Sequence, residues 1–488
     1  MKKRTRREFL AGSLAGVGAV AFGLGGRVLG ANNDIRIGVI GVGSNVKIGG
    51  KGKQDLRDFL KLKGVRIVAL CDVDRRILDA EAASCADMGQ KVVTYTDVRR
   101  MLDDKNIDAV SITTPNHWHA LGTIWACQAG KDVYVQKPAS HNIWEGRKMV
   151  EAARKYGRIV YSTSGPRSGT GLPDAFAWAR EGHLGRILYT HGLNYKPRRS
   201  IGKVSKAQTI PSYIDYDLWC GPSPVTPVMR EYLHYDWHWD FNYGNGDIGN
   251  MGIHYMDACR LALAQDTLPK QVLSIGGRLG YDDDGQTPNT MITFLDYKPA
   301  PIIFEVRGLP ATKSGQNKSW SKNMDSYRDV SIGIVVHCQN GYIAQNKAFD
   351  NDGNLIREFE TTNTSGKVNF LKVMRSRRMS DLQSDILEGH LSASLIHMAN
   401  ISYRSGSRAS RDELAAAACG SDEMKDAFGR FAGHLEANEV DINKAGVVLG
   451  ASLTMDAKKE RFVGSMSEIA NRYVSKNYRK GFEVPEKV

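Results

Sequence analysis

Short, mainly apolar runs alternate with helical stretches from residue 34 to about residue 160. The runs lie at 34–40, 65–71, 92–95, 109–115 and 132–135. Such runs are typical of strands buried on both faces, and a helix between two of them makes the strands parallel. This rhythm predicts a parallel sheet with ligands at the carboxyl ends of its strands.

Beyond residue 168 the apolar and polar positions alternate instead. Alternating stretches lie at 187–191, 291–295, 302–306 and 332–336. A period of two indicates antiparallel strands with one face on a core. The polar stretch 312–326 predicts a loop. A chain of 488 residues is long enough for two domains, and the change of pattern predicts their boundary near residue 160.

The first thirty residues have the composition of an export signal. They hold six Lys or Arg residues and one acid, and an apolar stretch at 10–24 is shorter than the ~20 residues of a membrane span. The segment TRREFL at 5–10 closely resembles the twin-arginine export signal. We therefore predict a twin-arginine signal peptide over 1–30, a periplasmic or otherwise exported location, and no stable membrane anchor.

The overall charge and the cysteines exclude several other classes. The formal net charge is +13, but no dense stripe of Lys and Arg with interleaved aromatic residues follows the leader. A nucleic-acid partner is therefore not predicted. The seven cysteines lie far apart and form no CxxC pair, which argues against a disulfide framework and against a zinc site.

A glycine turn follows the first apolar run. Gly41 and Gly43 are placed as in the phosphate turn of a Rossmann unit, although the third glycine of that motif is replaced by Val46. Asp72 ends the second run, where a carboxylate accepts hydrogen bonds from the ribose hydroxyls and favours NAD over NADP. A basic loop at 47–53 explains the long gap between the two features, and Arg75 and Arg76 leave NADP open.

Three further motifs, in order, resemble the Gfo/Idh/MocA oxidoreductase family. They are TTPNHWHA at 113–120, VYVQKPAS at 133–140 and GNGDIGNMGIHYMD at 244–257. The resemblance extends from Ile35 to at least Arg404 and is strongest to exported bacterial members with twin-arginine leaders.

The resemblance implies an α/β fold with an N-terminal Rossmann domain over 34–160 and a C-terminal domain over 161–488. The C-terminal domain is expected to be α+β, with a large, open, mostly antiparallel sheet that serves substrate binding and oligomerisation. The implied cofactor is NAD, with NADP possible. The implied partners are a small sugar or polyol substrate and other copies of the chain, as a dimer or tetramer.

The residues that we expect to hold the dinucleotide come from the glycine turn, the strand ends and these motifs. They are Gly41, Gly43, Ser44, Asn45, Asp72, Thr114, Pro115, Asn116, His119, Gln136, Lys137 and Arg167. By resemblance, Lys137 lies beside the nicotinamide and the substrate hydroxyl, where it stabilises charge on oxygen. Gln136 stands where the family has Glu, so a carboxylate that tunes the lysine is missing.

By resemblance, His254 is the general base that takes the proton of the substrate hydroxyl. If 246–257 is helical, Asn250, His254 and Asp257 share one face at i, i+4 and i+7. Asp257, or Asp247 from the preceding loop, is expected to orient the imidazole ring. Asn250 stands where the family usually has an acid, and an amide cannot relay a proton, so His254 passes it to Lys137 or to water.

The substrate is expected to contact residues on the other side of the site, which are Tyr195, Lys196, Arg198, Trp237 and Asn250. Lys196 and Arg198 are suited to bind sugar hydroxyls or an acidic group, and a solvated basic loop is an equal alternative. Aromatic residues around Trp237 are suited to stack on a pyranose ring. His234 and His238 have the spacing of metal ligands on a helix, but no partner cluster supports a metal.

The leader and the dinucleotide fold together restrict the chemistry. No free dinucleotide pool exists beyond the inner membrane, and twin-arginine export carries folded proteins, so we expect a tightly bound NAD(H) that is regenerated within the catalytic cycle. Net sugar oxidation coupled to reduction of a second sugar, epimerisation and glycoside cleavage through a keto-sugar are all compatible with this. A non-catalytic sugar-binding protein and an ordinary dehydrogenase with dissociable NADP remain alternatives.

Overall fold

A computed structural model describes residues 34–44, 49–167, 169–362 and 364–488. The predicted signal peptide and Asn45 lie outside these residues. Within the described ranges, no helix is both long enough and apolar enough to cross a membrane.

The N-terminal domain is built on a six-stranded parallel sheet of order β3-β2-β1-β4-β5-β6, which is the doubly wound order of a Rossmann fold. Its strands are β1 (Ile35–Ile40), β2 (Val65–Cys71), β3 (Val93–Tyr95), β4 (Ala109–Ile112), β5 (Asp132–Val135) and β6 (Val160–Ser162). Five of these strands follow the predicted apolar runs, and the short β6 is an addition. The parallel sheet predicted from the alternation is confirmed.

Helices connect these strands, and three of them begin at a residue whose side chain caps the helix. They are α1 (Lys51–Leu60), α2 (Arg75–Asp87), α3 (Val98–Leu102), α4 (His119–Gln128) and α5 (Ile143–Lys155). Asp74 caps α2 by accepting the backbone N–H groups of Arg76 and Ile77 at 3.0 and 3.2 Å. A carboxylate at this position satisfies donors that the first helical turn leaves free. A short 3₁₀ turn, Asn116–Trp118, precedes α4.

The C-terminal domain is built on a sheet of twelve strands. Its strands are β7 (Ile187–Tyr195), β8 (Gln271–Gly277), β9 (Thr290–Leu295), β10 (Ile302–Arg307), β11 (Ile332–Cys338), β12 (Gly341–Ala344), β13 (Lys347–Phe349), β14 (Leu355–Glu358), β15 (Ser407–Arg408), β16 (Val448–Leu449), β17 (Leu453–Asp456) and β18 (Arg461–Val463). Among these, β7 and β10 pair in parallel and the other pairs are antiparallel. The predicted fold class, a Rossmann domain followed by a mostly antiparallel sheet domain, is confirmed.

The C-terminal domain also contains helices. They are α6 (Leu172–Arg180), α7 (Tyr216–Cys220), α8 (Ile253–Ala262), α9 (Gly366–Ser376), α10 (Ile386–Arg404), α11 (Arg411–Ala418), α12 (Asp422–Ala437) and α13 (Ser467–Asn471). On one face of the sheet, Phe304 of β10 packs with α6, α8 and α10. On the other face its neighbour Ile303 packs with α11 and α12. This division follows from the period of two along a strand. The polar stretch near 312–326 forms two short 3₁₀ turns, Lys313–Asn317 and Trp320–Lys322.

The segment 196–247, which we call the strap, connects β7 to the helical segment that ends in α8. It contains α7 and lies against the N-terminal domain. The backbone N–H of Asp215 donates to Val73 O, and the backbone N–H of Arg75 donates to Tyr213 O, both at 3.0 Å. The strap is therefore anchored on the turn between β2 and α2, directly after Asp72.

Candidate active site

A cleft of about 580 Å³ lies at the carboxyl ends of β1, β2, β4 and β5. The strap supplies its other side. The predicted site residues that line it are Gly41, Gly43, Asp72, Thr114, Pro115, Asn116, His119, Gln136, Lys137, Lys196, Arg198, Trp237 and Asn250. Residues of two domains that are far apart in the sequence thus meet at one cleft, where the parallel-sheet rule predicts a ligand.

The glycine turn has the backbone that a dinucleotide requires. Gly41 has a φ of +80°, and a Cβ on it would lie 2.8 Å from the backbone nitrogen of Thr114. A Cβ on Gly52, in the first turn of α1, would lie 2.1 Å from Gly41 O. The third glycine of the motif, which allows close packing of helix and strand, is therefore Gly52, after an insertion that moves it six positions beyond Val46. Gly49, Gly50 and Lys51 also line the cleft.

Asp72 lies at the end of β2 and faces the cleft. Its two carboxylate oxygens accept the backbone N–H groups of Val42 at 2.8 Å and Asp74 at 3.0 Å. Burial is the main cause of its raised pKa. The side chain thus holds the glycine turn in place and keeps lone pairs for a ribose hydroxyl. Arg75 and Arg76 are exposed and do not line the cleft, and Arg76 lies 4.5 Å from the ring centre of Tyr213.

Lys137 follows β5 and points its ammonium group toward Asn250. Its Nζ donates to the side-chain oxygen of Asn250 at 2.9 Å and also to the Asn250 backbone carbonyl. Burial, together with the positive charge of Arg198, lowers the pKa of Lys137 to about 7. The amine can therefore gain or lose a proton near neutral pH. His119 fixes the start of the following turn, since its Nδ1 lies 2.7 Å from Pro138 O.

A π-helical turn, Ile248–Gly252, leads directly into α8. Asn250, His254 and Asp257 then face the ends of β5 and β6 together, where they contact Lys137, Ser164 and Arg167 in turn. The expectation that these three residues share a helix face agrees with these contacts.

His254 is held by a backbone group and not by a carboxylate. Its Nδ1 lies 2.7 Å from Ser164 O, so this nitrogen carries the proton and donates it to the carbonyl. Burial and the charge of Lys137 lower the pKa of His254 to about 3. The imidazole is therefore neutral, with its Nε2 lone pair available. His254 is half-buried and does not line the cleft.

The two carboxylates that were expected to orient this ring have other partners. Asp257 is fully buried and accepts two hydrogen bonds from the guanidinium of Arg167, at 2.9 and 2.8 Å. Burial acts to raise the pKa of Asp257, but the adjacent Arg167 outweighs it and lowers this pKa. Asp247 accepts from Arg198 at 2.8 Å. The expected orientation of His254 by Asp257 or Asp247 is wrong, because nearby arginines bind both carboxylates.

Arg167 does not reach the cleft either. Besides Asp257, its guanidinium donates to Glu388 of α10 at 2.9 Å. Glu388 in turn accepts from Arg260. Arg167 therefore belongs to an ion-pair network beneath α8 rather than to the lining of the dinucleotide cleft. Ser44 is buried and is also not among the lining residues.

Asp55 is a buried charged residue that sequence reasoning missed. The amide of Gln136 donates to one of its oxygens at 2.5 Å, and Lys367 of α9 donates to the other at 2.8 Å. Lys51 lies 2.9 Å from the same carboxylate. The signal in the sequence is weak, since Lys51 and Asp55 look like an ordinary i, i+4 pair on a helix surface.

Alternation along β7 separates the expected substrate residues. Tyr195 points away from the cleft, and its hydroxyl donates to Glu305 at 2.7 Å on the other face of the sheet. Lys196 and Arg198 line the cleft. The expected contact of Tyr195 with substrate is wrong, because the pleat places neighbouring side chains on opposite faces.

The strap brings aromatic and histidine side chains to the cleft. Trp237 stacks on His238 with ring centres 3.8 Å apart. His234 Nε2 lies 3.0 Å from the carboxylate of Asp74. Sequence reasoning did not select Tyr235 or Trp219, which also line the cleft. In the described part of the chain, no group of three or more His, Cys, Asp or Glu side chains is arranged to hold a metal ion.

Comparisons with known proteins identify both domains. Residues 35–164 match the Gfo/Idh/MocA oxidoreductase family, NAD-binding Rossmann fold, and residues 183–296 match the C-terminal α/β domain of that family. The matched N-terminal domain confirms NAD as the predicted cofactor, and the glycine turn described above has the close backbone approach that it needs.

Individual relatives are more distant. A glycosyl hydrolase family 109 protein of Shewanella pealeana is 27% identical over 194 residues, which cover 38% of this chain and 41% of that protein. The chain thus matches less than half the length of this curated relative. The WlbA dehydrogenase from Bordetella pertussis, crystallised with NADH and UDP-GlcNAcA, has a TM-score of 0.54 at 18% identity, covering 76% of this chain and 97% of that one. WlbA from Chromobacterium violaceum gives a TM-score of 0.53 at 16% identity, covering 77% and 95%. These structures show the same fold.

Proposed function

We propose, from the premise that the chain belongs to the Gfo/Idh/MocA oxidoreductase family by both of its domains, that it oxidises a CH–OH group of a sugar, glycoside or polyol with NAD. The observation that carries this proposal is the position of Lys137. Its amine lies in the dinucleotide cleft, bound to Asn250 and poised near neutral pH.

NAD, when bound, takes up the hydride from the carbon that bears the hydroxyl. The chain's own part is to hold that hydroxyl and to accept its proton. In this proposal the proton goes to Nζ of Lys137, because this group lines the cleft and its pKa of about 7 suits a general base. The side-chain oxygen of Asn250, 2.9 Å away, keeps the amine in place.

This assignment differs from the role that the resemblance implied for His254. A pKa of about 3 makes its imidazole a weak base, and the ring does not line the cleft. His254 instead borders Lys137 as a neutral ring held by Ser164. Substitution of His254 is therefore expected to lower the rate by disturbing the surroundings of Lys137, and to leave the proton acceptor in place.

The cofactor is proposed to stay with the protein between turnovers. The strap hydrogen-bonds to Val73 and Arg75 on one side of Asp72, and its Tyr235 lies close to Gly49 of the phosphate loop. In this proposal these contacts hold the strap against the cleft and slow the release of a bound dinucleotide. Retention of the cofactor suits the proposed export through the twin-arginine signal. The homo-oligomeric state of the chain stays a prediction.

The test begins with the full chain purified without added dinucleotide. After denaturation, we expect about one NAD(H) per chain by mass spectrometry, as a non-dissociating cofactor requires. The intact protein should then convert a sugar from a panel without added cofactor, and a Lys137→Met variant should retain NAD but not react. A protein that neither contains nor binds NAD would support the alternative of a non-catalytic sugar-binding protein.

Glycoside cleavage through a transient keto-sugar is a second candidate. The observation that favours it is the similarity to proteins named glycosyl hydrolase family 109, at 27% identity over 194 residues. It differs from net oxidation in its products. Release of 4-nitrophenol from nitrophenyl glycosides, with no accumulation of NADH, would establish it, and accumulation of an oxidised sugar without cleavage would exclude it.

A further inference from the structure

The reacting end of the cleft, around Lys137 and Asn250, is rich in positive charge. Lys137, Lys196 and Arg198 all line it. Arg198 is neutralised, because the fully buried carboxylate of Asp247 accepts hydrogen bonds from its Nε at 2.8 Å and its Nη2 at 2.5 Å. Asp247 is also bound by the amide of Asn194 at 3.0 Å, so its two oxygens already have hydrogen-bond partners within the protein.

Lys196 has no ion-pair partner of its own among the described residues, and the nearby carboxylate of Asp247, which acts on it, is hydrogen-bonded to Arg198. Its ammonium lies 3.8 Å from the sulfur of Met251, and no carboxylate of the described residues lies within ion-pair distance of it. The side chain is half-buried at the end of β7. Burial and the charge of Arg198 outweigh the opposing charge of Asp247 and lower the pKa of Lys196, so its charged form is incompletely stabilised in this setting.

Lys196 lies close to the residues that are proposed to carry out the reaction. Met251 directly follows Asn250, the residue that binds Lys137. The charge of Lys196 also acts on both Lys137 and His254. A ligand group on Lys196 would therefore belong to the molecule that is oxidised. A partly desolvated ammonium without an ion-pair partner favours an anion, with which it forms a charge-assisted hydrogen bond.

Resting on the proposed function, we infer that the substrate is an anionic sugar whose carboxylate or sulfate group binds the ammonium of Lys196. This narrows the substrate class from sugars in general to sugar acids or sulfated sugars. Arg198 then acts by holding Asp247 and the strap, while Lys196 distinguishes an anionic sugar from its neutral parent.

The test compares matched ligands on the NADH-loaded full chain. Calorimetry measures the Kd of hexuronates (glucuronate, galacturonate), hexose 6-sulfates and the parent hexoses, and kcat/KM is measured on the chain loaded with oxidised NAD where turnover occurs. We expect at least about tenfold tighter binding of one anionic class than of its parent hexose, weakened by added salt. Comparison of the hexuronates with the hexose 6-sulfates decides whether the site binds a carboxylate or a sulfate.

Variants assign the preference to the side chain. Lys196→Gln should weaken binding of the anionic sugar much more than binding of the neutral hexose and so remove most of the preference, while Lys196→Arg should retain it. Lys203→Gln is the matched control, because Lys203 also lies on the strap but pairs with Asp282 at the surface.

Equal binding of anionic and neutral sugars, or equal loss of both in Lys196→Gln, would overturn this inference while the proposed oxidation stands. Absence of NAD and of reaction with every sugar would overturn the proposed function and this inference with it.

Discussion

The amide of Gln136 donates a 2.5 Å hydrogen bond to the carboxylate of Asp55, and both side chains are buried. The amide oxygen of Gln136 accepts a second hydrogen bond from Thr163 at 3.0 Å. A carboxylate therefore does lie beside the residue before Lys137, but it comes from α1 and is held by Lys367 as well. With Asp55 in this place, Gln at 136 avoids a contact between two buried carboxylates.

An exchange of the two side-chain types tests this relationship. Gln136→Glu should destabilise the chain by about 1–3 kcal/mol, because it replaces a donor with a like charge. The loss should increase with rising pH, since protonation at low pH relieves the repulsion. The double variant Asp55→Asn/Gln136→Glu should recover most of the stability in urea unfolding. If Gln136→Glu alone is as stable as the native chain at pH 8, Asp55 is not the reason for the glutamine.

The pH dependence of oxidation should report Lys137. Because its pKa is about 7 and the neutral amine is the active form, the single-turnover rate should rise with pH and level off above that value. Stopped-flow absorbance of NADH formation measures it. His254→Gln should lower the rate but keep the rise near pH 7, since the pKa of His254 is about 3. Loss of the rise in His254→Gln, with its survival in Lys137→Gln, would return the role of general base to His254.

Asp72 should set the preference for NAD. Its carboxylate faces the cleft, and no described arginine lines the cleft beside it, because Arg76 lies on Tyr213. Asp72→Asn should shift the NAD to NADP preference by about tenfold toward NADP, since it removes the repulsion of a 2′-phosphate. Fluorescence titration of both reduced cofactors measures the two Kd values. An unchanged ratio would mean that other groups select the cofactor.

The contact between His234 and Asp74 should slow release of the cofactor. It joins the strap to the cap of α2 at 3.0 Å, beside the cleft. His234→Ala should increase the NADH dissociation rate by about tenfold, the effect of losing one charge-assisted contact. His183→Ala is the control, because His183 pairs with Glu181 at the exposed surface. Equal dissociation rates for the two variants would show that the strap does not retain the cofactor through this contact.

Export should depend on the arginine pair in the leader. Arg6→Lys/Arg7→Lys keeps the charge but removes the paired guanidinium groups, so the chain should remain in the cytoplasm. Cell fractionation with immunodetection measures this, and the native chain should appear in the periplasm. Periplasmic location of both proteins would indicate another export route.

The local pattern of residues was enough to predict the architecture. Buried parallel strands need continuous apolar runs, and β1, β2, β4 and β5 have them. The glycine turn was also visible, because a close backbone approach leaves a local signature, and Lys137 was found through the resemblance of its motif to the family. The third glycine of the motif could not be recognised in the sequence, since an insertion moved it to Gly52. Only the packing of α1 on Gly41 identifies it.

The sequence alone did not show which side chains bind the buried charged residues. Asp55 and Gln136 are 81 positions apart, and Arg167 and Asp257 are 90 apart. Which arginine reaches which carboxylate depends on how α8 and α1 pack against the sheet, and no local pattern encodes that choice. The sequence by itself therefore determined the two domains, the cofactor class and the lysine at the strand end, because these follow from local periodicity and motif. The tertiary structure alone decided that Asp257 binds Arg167, that Tyr195 faces away from the cleft, and that Lys196 has no ion-pair partner among the described residues.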